Sequence, residues 1–123
     1  MSDARDVFHT LTEGKALIVI PAGDHVGFQI AQIESGTDAI LELVERAGLS
    51  HIVFDAGESS YLSSSMIGAM IRMWEAVSAG GGQFLTCCLT EDALRAIAVT
   101  RLDSHWPQFD SRAAALQALK SGE

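Results

Sequence analysis

This chain has few of the residues that would tie it to several common classes of protein. Among 123 residues there are two cysteines, and both fall at neighbouring positions, Cys87 and Cys88. Neighbours on a strand point to opposite faces, so no disulfide framework is on offer and a reducing compartment is expected. Small, partly buried hydrophobes are the plain reading of both thiols. Basic residues are also scarce. Lys and Arg number 8 against 16 Asp and Glu, a net charge of −8, which argues against nucleic acid or an anionic membrane as the main partner. No apolar run approaches the length of a membrane span. Met1 to Asp6 is polar and acidic rather than leader-like, so a cytoplasmic location is expected.

Several kinds of chemistry are missing too. His9, His25, His51 and His105 are scattered, with no pair at ligand spacing on one element, so no metal and no cofactor are expected. Gly80-Gly81-Gly82 lacks the Lys-Ser/Thr of a phosphate-binding loop and follows a helix, so it reads as a turn. Ser64 sits between a strand and a helix as a nucleophile would. Yet Leu62 and Met66 stand where a nucleophile elbow has glycines, and a hydrolase is set aside. No catalytic residues are assigned.

What remains is an ordinary globular chain, 48% hydrophobic and 7% aromatic, long enough for one core. Val7 to Thr12 alternates as an edge strand does, and Glu13-Gly14-Lys15 makes a turn. Ala16 to Ile20 is apolar throughout, as in a strand covered on both faces. Ile30, Ile33, Thr37, Ile40, Leu41, Val44 and Ala47 mark an amphipathic helix starting near Phe28, with Gly36 a weak point and Gly48 a left-handed cap. Its acidic side (Glu34, Asp38, Glu42, Glu45) reads as a solvated face.

A strand at 51–55, a loop from Ala56 to Leu62 and a helix from about Ser64 to Ala79 follow. Met66, Ile67, Met70, Ile71, Trp74 and Val77 set that helix's apolar period. Gln83 to Cys88 is the next strand, and Thr90 caps a helix faced by Ala93, Leu94, Ile97 and Ala98. Trp106 to Phe109 reads as a short edge strand. Ser111 caps a last helix carrying Ala114, Leu116 and Leu119. Strands alternating with helices predict an α/β fold, with a mixed, mostly parallel sheet of four to five strands and about four helices. One domain is expected over 1–123, with its core at about 8–119.

The most informative stretch is Tyr61 to Gly68, YLSSSMIG. Ser63, Ser64 and Ser65 lie where a helix begins. One of them is expected to be the cap, and a phosphate on a neighbour would meet free N–H groups and a favourable dipole.

Taken together these features resemble the STAS domain of the bacterial anti-sigma-factor antagonists. The likeness rests on the strand ending in Asp55, the serine-rich loop into the helix at 63–68 and the glycine run before an apolar strand. It also rests on Leu102-Asp103 before Trp106-Pro107 and on the closing Phe109-Asp110-Ser111-Arg112-Ala113-Ala114. Ser64 falls on the serine that this family's partner kinase, itself the anti-sigma factor, phosphorylates. Ser63 replaces the family's acidic residue and Met66 its glycine, while Ile67 and Gly68 fall on the later positions.

The resemblance implies a non-enzymatic protein-binding module that works by partner switching. It implies a kinase-type anti-sigma factor or related regulatory protein as partner, neither nucleic acid nor membrane, and a homodimer as a further option. Ser64 is the candidate phosphoacceptor, with Ser63 and Ser65 as alternatives. The partner-binding surface would comprise Glu58, Ser59, Ser60, Tyr61, the three serines, Met66 and Ile67. The alternative is an unphosphorylated scaffold or small-ligand sensor in a signalling or transport assembly, with Met66, Met70 and Trp74 lining its surface or pocket.

Overall fold

Leu17, Val19, Ile52, Phe54 and Phe84 project from one face of a five-stranded sheet into a core shared with three helices. Ala16, Ile18, Ile20, Val53, Leu85 and Cys87 project from the other face against a fourth helix. The computed structural model describes residues 7–22, 29–59 and 62–122. In chain order these are β1 (Phe8–Glu13), β2 (Ala16–Pro21), α1 (Ile30–Arg46), β3 (His51–Asp55), α2 (Ser64–Ala79) and β4 (Phe84–Cys87). Then come α3 (Glu91–Val99), a 3-10 turn (Leu102–Ser104), β5 (Gln108–Phe109) and α4 (Arg112–Gly122). The strands lie in the order β1-β2-β3-β4-β5, with β1 antiparallel to β2 and every later pair parallel. This is the expected α/β architecture.

Three parallel crossovers of one hand, all stepping the same way across the sheet, put α1, α2 and α3 on one face. α4 follows the last strand and folds under the other face, burying Ala115 and Leu119. The all-apolar β2 is thus covered on both sides, as its sequence requires.

Most local expectations hold. Thr90 Oγ1 accepts the Ala93 N–H at 3.1 Å, and Ser111 Oγ accepts the Ala114 N–H at 3.1 Å. Gly14 and Gly48 both take positive φ, and α1 ends where expected. Phe28, the expected start of α1, lies outside the described residues, as does His25.

Three details differ. Gly36 is less a weak point than a packing device, since a Cβ there would stand 3.2 Å from the Phe8 ring. α1 seats on β1 because that side chain is missing. On α1, Ile30, at the first residue of the helix, is 62% exposed rather than part of the buried face. On α4 the buried position is Ala115, not Ala114, because the helix meets the sheet one residue further round.

The glycine turn between α2 and β4 is sterically obligatory. A Cβ on Gly82 would fall 1.7 Å from the Ser50 carbonyl oxygen, inside the backbone itself. Gly81 adds a φ of +85.

Candidate functional site

Two groups of side chains with chemistry of their own sit near the carboxyl ends of the parallel strands, one on each side of the sheet. The first is the start of α2. Ser63 is the N-cap, with extended backbone, and its Oγ accepts the Met66 N–H at 3.1 Å. The first bond of the helical ladder runs from Ile67 N–H to the Ser63 carbonyl at 2.9 Å. Ser64 and Ser65 precede it in the first turn, at the positive end of the helix dipole. Ser64 is exposed and Ser65 half-buried.

Both serines border a cleft of about 360 Å³ between α1 and α2, together with Ile30, Ile33, Glu34 and Thr37 and with Gly68, Ala69 and Arg72. Arg72 reaches across to Asp38 on α1 at 2.6 Å, an exposed pair that ties the two helices at modest gain. The Thr37 hydroxyl donates to the Ile33 carbonyl at 2.7 Å and so leaves the cleft wall apolar at that point.

The remaining expected surface residues divide. Glu58 is exposed and Ile67 half-buried beside the serines. Ser59 is buried, and its Oγ donates to the Ala22 carbonyl at 3.4 Å. Ser60 and Tyr61 lie outside the described residues. Met66 does not belong to a surface. It is 0% exposed, because the third residue of α2 turns onto the sheet and fills the core between the helices. Met70 is equally buried. Trp74 is half-buried, with its ring 5.2 Å from His105 and 5.9 Å from Trp106. Ten residues at 1.5 Å each put that ring about 15 Å along α2 from Ser64, so His105 cannot serve Ser64 as a base.

The second group was not foreseen. Asp55 ends β3 and lies beside Cys87 in the β3–β4 register. The carboxylate is buried. Its Oδ1 accepts the Gly57 N–H at 2.8 Å and its Oδ2 accepts Arg112 Nε, from the first residue of α4, at 2.9 Å. Cys88 corrects the expectation that neighbouring cysteines face apart. The strand ends at Cys87, and Cys88 takes a φ of 63, in the left-handed region. That turn carries its side chain back to the α4 side, where it packs with the same cluster as Cys87. Its Sγ donates to the Asp110 carbonyl at 3.7 Å.

The two sulfurs and a carboxylate oxygen of Asp55 all lie within 4.8 Å of one another. Burial, and after it the Asp55 charge, push both thiols above their ordinary range. At neutral pH both are therefore thiols. Sequence offered one signal for this corner, the acidic residue closing a buried strand. Nothing in it joined that residue to Arg112, 57 positions away.

Among the described residues no helix is long and apolar enough to cross a membrane.

Comparison with solved structures gives the same fold at low identity. An anti-sigma factor antagonist candidate from Thermotoga maritima superposes with a TM-score of 0.82 at 16% identity, covering 98% of this chain and 99% of that one. An anti-sigma-factor antagonist (STAS) domain protein from Planctomyces limnophilus gives 0.79 at 18%, over 92% and 97%. The Bacillus cell fate determinant SpoIIAA in its phosphorylated form gives 0.72 at 12%, over 91% and 98%. Among curated proteins no sequence matches this chain. The family model of the STAS domain matches residues 27–115, which span α1 to the start of α4 and include both groups of side chains. With that match over most of its length, the chain belongs to the STAS domain family.

Proposed function

We propose that this protein is a non-enzymatic, cytoplasmic anti-sigma-factor antagonist whose binding to a kinase-type anti-sigma factor is switched by phosphorylation of Ser64. The observation that carries the reading is the division of labour among the three serines. Ser63 is committed to capping, Ser65 is half-buried, and Ser64 alone of the three is exposed. A kinase needs an accessible hydroxyl, and a helix start tolerates the added charge. SpoIIAA, which shares the fold, has been solved both phosphorylated and unphosphorylated.

In this reading the partner meets the unmodified protein at Glu58, Ser64, Ser65 and Ile67, around the mouth of the α1–α2 cleft. A phosphate would place about −1.5 to −2 charges there. Arg72, the cation at the cleft, is already paired with Asp38. Desolvating the phosphate inside an interface without a new cation is unfavourable, so the complex would release.

The test is incubation with kinase-type anti-sigma factors and ATP, with mass-spectrometric mapping and Ser64→Ala as control. Phosphate on Ser64, absent in the variant, together with loss of binding, supports the switch. Tight binding with no phosphate from any such kinase would overturn it in favour of a scaffold. An exposed apolar run on α2 would have favoured the scaffold reading, whereas Met66 and Met70 are buried.

A further inference from the structure

We propose that Asp55, Cys87 and Cys88 form a binding site for a thiophilic divalent cation of the zinc class. The proposal is independent of Ser64 and of partner switching.

Three observations carry it. The first is convergence: three potential ligand atoms from two strand ends lie within 4.8 Å of one another. Around a tetrahedral zinc ion, with bonds of about 2.3 Å to sulfur and 2.0 Å to oxygen, ligand atoms stand roughly 3.5 to 3.8 Å apart. Small side-chain rotations close that difference. The left-handed turn at Cys88 is what makes the pair convergent, since on a continued strand its sulfur would face away.

The second is charge. In the metal-free corner the two thiols are neutral and the Asp55 carboxylate is balanced by Arg112. On binding, two S–H bonds break, two metal–sulfur bonds form and two protons leave to solvent, with no change of oxidation state. Two thiolates, one carboxylate, one guanidinium and one divalent cation again sum to zero. A largely buried corner thus takes up the ion without acquiring net charge, which is the condition for doing so at low cost. Arg112 on Oδ2 and the Gly57 N–H on Oδ1 fix the carboxylate, as outer partners of a metal ligand do.

The third is access. A cleft of about 260 Å³, bordered by Leu89, Leu94 and Phe109, opens at Cys88. Gly57 covers the carboxylate without a side chain. A Cβ there would stand 3.0 Å from Asp55 Oδ1 and 3.9 Å from Cys88 Sγ. Two sulfurs and one oxygen favour zinc-class ions over magnesium or calcium, whose ligands are all oxygen.

The experiment uses the full chain, reduced with a non-thiol reagent and freed of metal. It is titrated with Zn²⁺ against a chromophoric competitor, and separately with Cd²⁺ while the ultraviolet thiolate-to-metal charge-transfer band is followed. The expected result is one ion per chain, two protons released and a band of two-thiolate intensity. Cys88→Ser, a near-isosteric change at a half-buried site, should keep the circular dichroism of the parent. It should halve the band and weaken binding by at least tenfold. Absence of the band, or equal binding by the parent and a folded Cys88→Ser, would overturn the site and leave adventitious ions only. Cys87→Ser is the second variant, with the same outcomes expected.

Discussion

The two sides of the sheet carry two different kinds of site. On the side of α1 and α2, three consecutive serines are arranged by the helix they begin, and the Ser64 hydroxyl faces solvent. On the side of α4, a carboxylate, two thiols and a guanidinium are gathered from the ends of β3 and β4 and the first turn of α4, and they are mostly buried. The first site can change its charge freely, because water screens it and a helix dipole favours an anion there. The second can change only by compensated exchange, because uncompensated charge in a buried corner is costly. A fold of this size can therefore present a modifiable surface on one side and a closed polar cluster on the other, with one sheet keeping them apart.

The largest expected effect tests the core beneath the serine side. Trp106 is fully buried, with its ring 5.0 Å from Phe84 and edge-on to it. Trp106→Ala should destabilise the protein by about 3–5 kcal/mol in urea unfolding, since the side chain leaves a large cavity. An equal loss from Leu119→Ala on the α4 side would break the view that the three-helix face holds most of the core.

Next comes the polar cluster. Asp55→Asn removes the charge that Arg112 and the Gly57 N–H both meet, and should lower stability by about 1–3 kcal/mol. Arg112 is 37% exposed and can partly turn to water, which keeps the effect towards the lower end.

The serines should then separate. Ser63→Ala deletes the cap of α2 and should lower stability by about 1 kcal/mol, while Ser64→Ala should stay within about 0.5 kcal/mol. Phosphorylation should show the reverse pattern, lost in Ser64→Ala and kept in Ser63→Ala. If both variants lost the label equally, the assignment of cap and acceptor would fail.

The smallest effect is a pH dependence confined to the thiol side. Both cysteines are raised above the ordinary value of 9.0, chiefly by burial. Unfolded thiols ionise near that pH while the folded ones stay protonated. Their contribution to stability is thus fully present below about pH 9 and falls as pH rises beyond it. Denaturation of the metal-free protein between pH 8 and about 10.5 should show this decline, and Cys87→Ala should flatten it. An unchanged slope in the variant would assign the decline to other groups.

Legibility followed the range of the interaction. Thr90, Ser111 and the serine cap could be read because a cap bonds to an N–H three residues on, and the sequence shows both ends of that bond. Apolar periods placed the helices and strands for the same reason. The face of Met66 was misjudged because period alone does not say where the partner lies, and the three serines at the helix start were equivalent as caps until Ser63 was seen to cap.

By itself, then, the sequence determined the order of elements, the alternation that forces a mostly parallel sheet, the capped starts of three helices and the serine cluster at one of them. All of these depend on bonds and spacings within a few residues. Only the tertiary structure decided that Gly36 would seat a helix on Phe8, and that Cys88 would turn its sulfur back beside Cys87. It also decided that Arg112 would meet Asp55. Those contacts join residues far apart in the chain, and they exist only because the sheet brings its strand ends to one edge and α4 folds beneath them.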